Sequence, residues 1–310
     1  MASGFPYYSP VRIKADLAAL DAAPRKRWGQ CFLIEPGAIQ NIATRIITAH
    51  ETSGDHPESR SPILEIGPGL GALSWSLLNA GVTLAAIEID SVMANLLRRL
   101  AASPEVHAAG GQLFLRVADA REALAELRAG PVVFGEAPGR SFDGSAFPVV
   151  CGNLPYYITT DLLTACLELP GLRAGFFLTQ LEFAERIAAT DARSSLNVFL
   201  RNAGEWRQTI RLKASAFYPR PNVDSALVEF RAYPDGARCD AVVLEKLLRM
   251  SFGARRKKLS NSWKQDRRNL LDPQQLLDLS PEAGVDPDLR AEAVAFDTYY
   301  RLVNLLTDAR

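Results

Sequence analysis

The sequence predicts an α/β chain, with a doubly wound parallel-sheet domain followed by a small C-terminal helical domain. Three observations predict it. From Arg25 onward, apolar runs of strand length alternate with apolar residues at helical spacing. A glycine-rich turn, Gly67-Pro68-Gly69-Leu70-Gly71, joins one such run to a helix. Past the turn signal Tyr233-Pro234-Asp235-Gly236 the pattern is helical throughout. Together they divide the chain into an N-terminal arm (1–24), a main domain (25–236) and a helical domain (237–310).

The arm carries apolar periodicity at Val11, Ile13, Leu17 and Leu20 and no readable chemistry. In the main domain, Pro62 to Ile66 reads as a buried strand, and Leu73, Leu77 and Leu78 follow at helical spacing. The next strand runs from Thr83 to Ile89. Ser91 is then a candidate N-cap for an amphipathic helix built on Met93, Leu96, Leu97 and Leu100. Leu113 to Val117 makes a third strand. Residues 131–148, rich in Gly, Pro and small side chains, read as an irregular excursion before the strand Val149-Val150-Cys151. Further strands are expected at Gly175 to Thr179 and Ala226 to Arg231, with Leu181 to Ala189 helical between them. Leu244, Leu247 and Leu248, then Leu259 and Trp263, then Leu302 and Leu305 mark the C-terminal helices.

Composition narrows the function classes. The chain has 310 residues, 48% hydrophobic and 23% charged, which suits a large core. No run approaches the ~18 to 20 apolar residues of a membrane span, and the N-terminus lacks the order of a secretory signal, so a cytoplasmic chain without a membrane partner is expected. Cys31, Cys151, Cys166 and Cys239 are far apart and form no Cys-x-x-Cys pair, which suggests neither a zinc site nor a disulfide framework. His50, His56 and His107 are scattered, so no metal site or hydrolase triad is expected. Net charge is zero, yet Glu245 to Arg268 holds nine Lys or Arg against Glu245 and Asp266, a local +7. Arg255, Arg256, Lys257 and Lys258 in that stretch, with Arg25, Lys26 and Arg27, are candidate phosphate contacts on either side of the crevice.

The chemistry begins at the glycine-rich turn. Gly67 and Gly69 permit a tight turn and let a nucleotide-like ligand press against bare backbone. Glu88 ends the next strand about 20 residues on, where a doubly wound fold puts a carboxylate for ribose hydroxyls. Asp119 ends the third strand, beside the adenine position. A nicotinamide dehydrogenase shares these features, so the turn alone leaves two cofactor classes open.

Asn153-Leu154-Pro155-Tyr156 follows the strand at Val149 to Cys151, so it faces the same crevice. An adenine amino group is a poor nucleophile because its lone pair is delocalised into the ring. The Asn153 side-chain oxygen and the Leu154 carbonyl, held by Pro155, are candidate acceptors for its hydrogens, and Tyr156 is a candidate stacking platform for an extruded base. A purely structural Asn-x-Pro turn is the alternative; the upstream Glu65 to Gly71 motif weighs against it.

On these residues, the chain resembles the adenine dimethyltransferases of small-subunit ribosomal RNA across roughly residues 25–300. Five blocks occur in that family's order: Lys26-Arg27-Trp28-Gly29-Gln30-Cys31-Phe32-Leu33; Glu65 to Gly71 with Glu88 and Asp119; Asn153 to Tyr156; Phe217 to Ala226; and Arg255 to Ser262 with Gly284 to Pro287 and Arg290 to Glu292. The resemblance implies a Rossmann-like class I S-adenosylmethionine-dependent methyltransferase domain. In the first block it implies that Gln30, Cys31 and Leu33 lie at the methionine end of the cofactor. Cys31 stands where the family has asparagine, which implies a looser cofactor affinity. It implies that Asn153 also borders the cofactor and that Phe217 packs on the base face opposite Tyr156. Dimethylation at N6, adjacency of two target adenines, a role in ribosome maturation, a small-subunit RNA or pre-small-subunit particle as partner, and a monomeric state come from the resemblance alone. Two departures are Tyr157, where the family commonly has asparagine, and the long 131–148 excursion.

Three alternatives remain open on sequence. One is a large-subunit RNA dimethyltransferase of antibiotic-resistance type; the Arg255 to Ser262 and Gly284 to Glu292 blocks favour the small-subunit reading. A second is a weakly catalytic assembly factor. The third, a nicotinamide oxidoreductase, has no use for Asn153 to Tyr156.

Overall fold

The computed structural model describes residues 4–25, 29–53, 61–135, 139–191, 194–254, 256–268 and 270–308. Its elements, in chain order, begin with α1 (Pro10–Ala18), β1 (Phe32–Leu33), α2 (Pro36–Thr52), β2 (Ile63–Ile66), α3 (Ala72–Leu78), β3 (Thr83–Glu88), α4 (Ser91–Ala101), α5 (Pro104–Ala109) and β4 (Gln112–Val117). There follow α6 (Ala120–Ala129), β5 (Val132–Phe134), β6 (Arg140–Phe142), β7 (Val149–Asn153), α7 (Thr159–Leu167), β8 (Ala174–Gln180), α8 (Leu181–Ala188), α9 (Ser195–Ala203) and β9 (Gly204–Leu212). The last are β10 (Phe217–Tyr218), β11 (Ser225–Ala232), α10 (Ala241–Phe252), α11 (Leu259–Lys264), α12 (Pro273–Ala283) and α13 (Phe296–Asp308).

Seven strands form one sheet in the order β4-β3-β2-β7-β8-β11-β9. The five from β4 to β8 pair in parallel, with Ile66 beside Ile87 on one side and Gly152 on the other. Every residue of β2 and β3 is buried, as a strand covered on both faces requires. At one margin β9 buries Gly204, Trp206 and Leu212 and exposes Glu205, Arg207 and Arg211, charges that discourage edge-to-edge pairing.

The strand order locates the site. From β2 the chain moves outward through β3 to β4, then returns to the other flank of β2 as β7. The connections leaving β2 and β7 therefore diverge, opening a crevice at the carboxyl ends of these strands. Glu65 to Gly71 and Asn153 to Tyr156 are those two connections.

Several local readings change. β3 ends at Glu88, leaving Ile89 outside the strand. The cap of α4 is Asp90, not Ser91: its carboxylate accepts the Val92 N–H at 2.9 Å, a cap worth about 1 kcal/mol. Within the 131–148 excursion, β5 and β6 form an antiparallel pair, and Phe134, Phe142 and Phe147 bury their rings together. The arm is packed down, with Phe5, Tyr7, Ile13 and Leu17 in the same apolar cluster as Phe32, Leu33 and Leu73. Val11 is exposed, so only part of the arm's periodicity marks a core face.

Packing divides the chain into two compact units, Met1–Ala184 with Gln208–Phe230, and Glu185–Arg207 with Arg231–Arg310. This differs from a single cut at residue 236. The reason lies in α9: the Tyr300 hydroxyl donates to the Val198 carbonyl at 2.8 Å, and the Asn202 amide exchanges hydrogen bonds with the Cys239 backbone at 3.0 Å both ways. Val198 belongs to the same core as Leu244, Leu248, Trp263, Leu276, Tyr299 and Leu302. No helix among the described residues is long and apolar enough to cross a membrane.

Candidate active site

A cleft at the carboxyl edge of the parallel strands encloses about 1060 Å³, its open mouth included, and lies wholly within the first unit. It brings together Gln30, Cys31, Leu33, Gly67, Gly69, Glu88, Asp119, Asn153, Leu154, Pro155 and Tyr156 from the sequence reading. These residues are distant in the chain and meet because each ends or follows a parallel strand, or lies in β1 or on the segment leading into it.

Gly67 and Gly69 have φ of 65° and 56°, left-handed values that a side chain strains. A Cβ at Gly67 would meet nothing within 4 Å, so the bare backbone borders open space; one at Gly69 would come within 3.0 Å of the Phe32 ring. Glu88 is 4% exposed. One of its carboxylate oxygens accepts the Gly69 N–H at 2.9 Å and the other the Asp90 N–H at 2.8 Å. Burial raises its pKa, opposed by these two hydrogen bonds. Glu65 lies deeper, at 2% exposure, and accepts the Ser74 hydroxyl at 2.5 Å. Burial, reinforced by the Glu88 charge, pushes its carboxyl up to about 7.

Asp119 caps α6 through the Arg121 N–H at 2.9 Å and forms a two-point ion pair with the Arg121 guanidinium, at 3.1 and 2.7 Å. Those contacts hold its carboxyl below the usual carboxylate range. Ile89, 41% exposed, and Ala118 line the cleft between Glu88 and Asp119. Neither was singled out in the sequence. Their signal was available, since apolar residues just past the ends of parallel strands face the crevice.

On the opposite flank, the Asn153 Nδ2 donates to the Cys31 carbonyl at 2.7 Å. With its donor committed, the side-chain oxygen is the group left to accept from a ligand. The Cys31 thiol is half-buried and burial raises its pKa; the residue's hydrogen bond to Asn153 is made by backbone. Leu154 is 1% exposed and its N–H donates to Leu178 O at 3.1 Å, fixing the tetrapeptide on β8. The Tyr156 hydroxyl shares a 2.9 Å hydrogen bond with Ser225 Oγ, and burial raises the Tyr156 pKa. Tyr157 also lines the cleft, 60% exposed, its ring 3.7 Å from where a Gly29 Cβ would stand.

Phe217 departs from expectation. It is 2% exposed, pairs with Leu33 in the β1–β10 ribbon and packs into the core, and it is not among the residues lining the cleft. In this arrangement the Phe217 ring is enclosed by the core and does not line the cleft beside Tyr156, as the expected stacking would have it.

Of the phosphate-contact candidates, Lys26, Arg27 and Arg255 lie outside the described residues, as does Trp28. The Arg25 N–H donates to Gln30 Oε1 at 2.7 Å and its guanidinium approaches Asp90 at 3.8 Å, so this residue has intramolecular work. Arg256, Lys257 and Lys258 are exposed on the turn between α10 and α11 rather than on a helix. Lys257 donates to Gln265, and Lys258 pairs with Asp288 at 3.2 Å.

Comparison with known proteins matches this arrangement to a family. The ribosomal RNA adenine dimethylase family matches residues 22–308. The ribosomal RNA small subunit methyltransferase A of Anaeromyxobacter dehalogenans is 34% identical over 93% of this chain and 94% of its own. The protein of the same name from Bifidobacterium adolescentis is 31% identical over 96% of this chain and 92% of its own. Among solved structures, a dimethyladenosine transferase from Plasmodium falciparum superposes with a TM-score of 0.65 at 22% identity, covering 86% of this chain and 96% of that one, a likeness of fold. A match spanning nearly the whole chain, with relatives above 30% identity at similar coverage, is decisive: the chain belongs to the ribosomal RNA adenine dimethylase family.

Proposed function

We propose that this chain transfers methyl groups from S-adenosylmethionine to the N6 amino nitrogen of adenine in small-subunit ribosomal RNA, twice at each target. The observation that carries the reading is the Asn153 side chain, whose Nδ2 donates to the Cys31 carbonyl and which lines the same cleft as the glycine-rich turn.

The cleft fits the cofactor. Bare backbone at Gly67 borders open space, an apolar wall at Ile89 and Ala118 suits an adenine ring, and a buried carboxylate ends β3. Each Glu88 oxygen accepts one backbone N–H and retains capacity for a ribose hydroxyl. Gln30 and Leu33 border the methionine end. Asp119 contributes through the position of its backbone and cap, since its carboxylate is engaged by Arg121.

S-adenosylmethionine supplies a methyl group already activated on a sulfonium, so the protein's task is alignment and redistribution of charge. Asn153 Oδ1 and the Leu154 carbonyl accept the two amino hydrogens and favour a pyramidal nitrogen whose lone pair points at the methyl. The nitrogen would gain the methyl as the methyl–sulfur bond breaks with its electron pair left on sulfur, S-adenosylhomocysteine would be the leaving group, and one amino proton would pass to solvent. Tyr156, steadied by Ser225, stacks on the extruded base, and exposed Tyr157 extends that surface. After the first transfer one hydrogen remains for one acceptor. Arg256, Lys257 and Lys258 bind RNA phosphates.

The test is transfer of labelled methyl from S-adenosylmethionine to small subunits lacking their adenine dimethylations, with large-subunit RNA alongside and nucleoside analysis of both. Dimethyladenosine in small-subunit RNA is expected. Label confined to large-subunit RNA, or cofactor bound without transfer to either, would overturn the reading.

A further inference from the structure

We propose that Asp90 is a positioning residue that ties the cofactor side of the cleft to the target-base side through Gln30 and Cys31. The assignment rests on the proposed roles of Glu88 and Asn153 and names what links them. Asp90 is 2% exposed. Capping α4 uses only its Oδ1, on the Val92 N–H at 2.9 Å. Its Oδ2 reaches instead to another segment, accepting Gln30 Nε2 at 3.1 Å with the Arg25 guanidinium 3.8 Å away. A helix cap needs one oxygen, and serine would serve as well. The second buried oxygen is therefore explained by Gln30.

The connections continue in both directions. Toward the cofactor, the Asp90 N–H donates to Glu88 Oε1 at 2.8 Å, and Glu88 Oε2 accepts the Gly69 N–H at 2.9 Å. Toward the base, Gln30 Oε1 accepts the Arg25 N–H at 2.7 Å, so both ends of its amide are committed and the side chain has one orientation. The next residue, Cys31, presents the carbonyl that holds Asn153 Nδ2 at 2.7 Å. A ligand that orders Glu88 and Gly69 thereby also orders the amide that receives the adenine hydrogens. By reciprocity, occupation of the base site tightens cofactor binding.

The test uses the full-length chain and the variant Asp90→Ser, which keeps a capping oxygen and lacks the second one. Binding of S-adenosylhomocysteine is read by calorimetry, amide exchange at residues 30–33 by mass spectrometry, and methyl transfer at saturating cofactor by label. About tenfold weaker binding is expected, with faster exchange and transfer reduced about tenfold even at saturation, the scale of one lost hydrogen bond to a charged group. Gln30→Leu, which leaves the α4 cap untouched, should reproduce these losses, and the double variant should be no worse than the poorer single variant. Additive losses, exchange unchanged from the wild type, or full turnover restored by saturating cofactor would overturn the tie. If the wild type itself neither binds nor transfers, the proposed function falls. Exchange at 30–33 in Asp90→Ser then still decides the tie, faster supporting it and unchanged refuting it.

Discussion

Replacing Glu65 by glutamine should stabilise the protein in alkaline solution and leave its stability unchanged in acid. Glu65 is 2% exposed, and its carboxyl is pushed up to about 7 from an ordinary 4.5, first by burial and then by the neighbouring Glu88 charge. A raised carboxyl pKa means that the folded state holds its proton more tightly than the unfolded state. Below 4.5 the group is protonated in both states and costs nothing; through the window from 4.5 to about 7 folding stability falls, and above it the full cost is present. Each pH unit of that window corresponds to about 1.4 kcal/mol, so the ionised carboxylate costs about 3 kcal/mol at alkaline pH. Glutamine is neutral throughout and retains an oxygen to accept the Ser74 hydroxyl. Thermal and urea unfolding without cofactor, at about pH 4 and about pH 8.5, should show near-equal stabilities at the first. At the second the variant should be higher in Tm by roughly 5 °C. An advantage for the variant that is the same at both pH values, or a loss at the higher one, would refute the reasoning.

Asn153→Ala should reduce methyl transfer by about 10² to 10³ with little change in Tm, since it removes a side-chain acceptor at the reacting nitrogen; transfer near the wild-type rate would remove Asn153 from the mechanism. Glu88→Ala should weaken cofactor binding by roughly 10- to 100-fold in calorimetry, because it removes the ribose acceptor and frees the Gly69 and Asp90 N–H groups. Gly71→Ala should cost about 2 kcal/mol or more in urea unfolding: φ is 81°, and the added Cβ would lie 2.8 Å from Leu97 at the start of α3. Exchanging Arg256, Lys257 and Lys258 together for serine should lower the salt dependence of RNA binding by about one unit of slope for each phosphate that the variant no longer neutralises; an unchanged slope would take that turn out of the RNA interface.

The sequence by itself determined the parallel sheet and the main parts of the cleft. Apolar strands alternating with helices leave few topologies, and in a parallel sheet all strand ends of one sense share an edge. Glu88, Asp119 and Asn153 each end or follow such a strand, so their convergence with Gly67 and Gly69 was legible from position alone. Ile89 and Ala118 were legible on the same argument.

Only the tertiary structure decided what each side chain does with its free valences. Asp119 looked available and is engaged by Arg121; Ser91 looked like the cap of α4, and Asp90 instead caps it and holds Gln30 as well. Asn153 meets Cys31 across 122 residues of chain, and Tyr156 meets Ser225 across 69. Phe217 stands in a motif that resembles a base platform, yet pairing with Leu33 turns it inward. α9 joins the C-terminal helices although it precedes two strands of the sheet. Local periodicity and motif spacing report which face of a strand or helix is apolar. Which distant segment that face meets, and which hydrogen-bonding group it thereby commits, is settled by packing the whole chain.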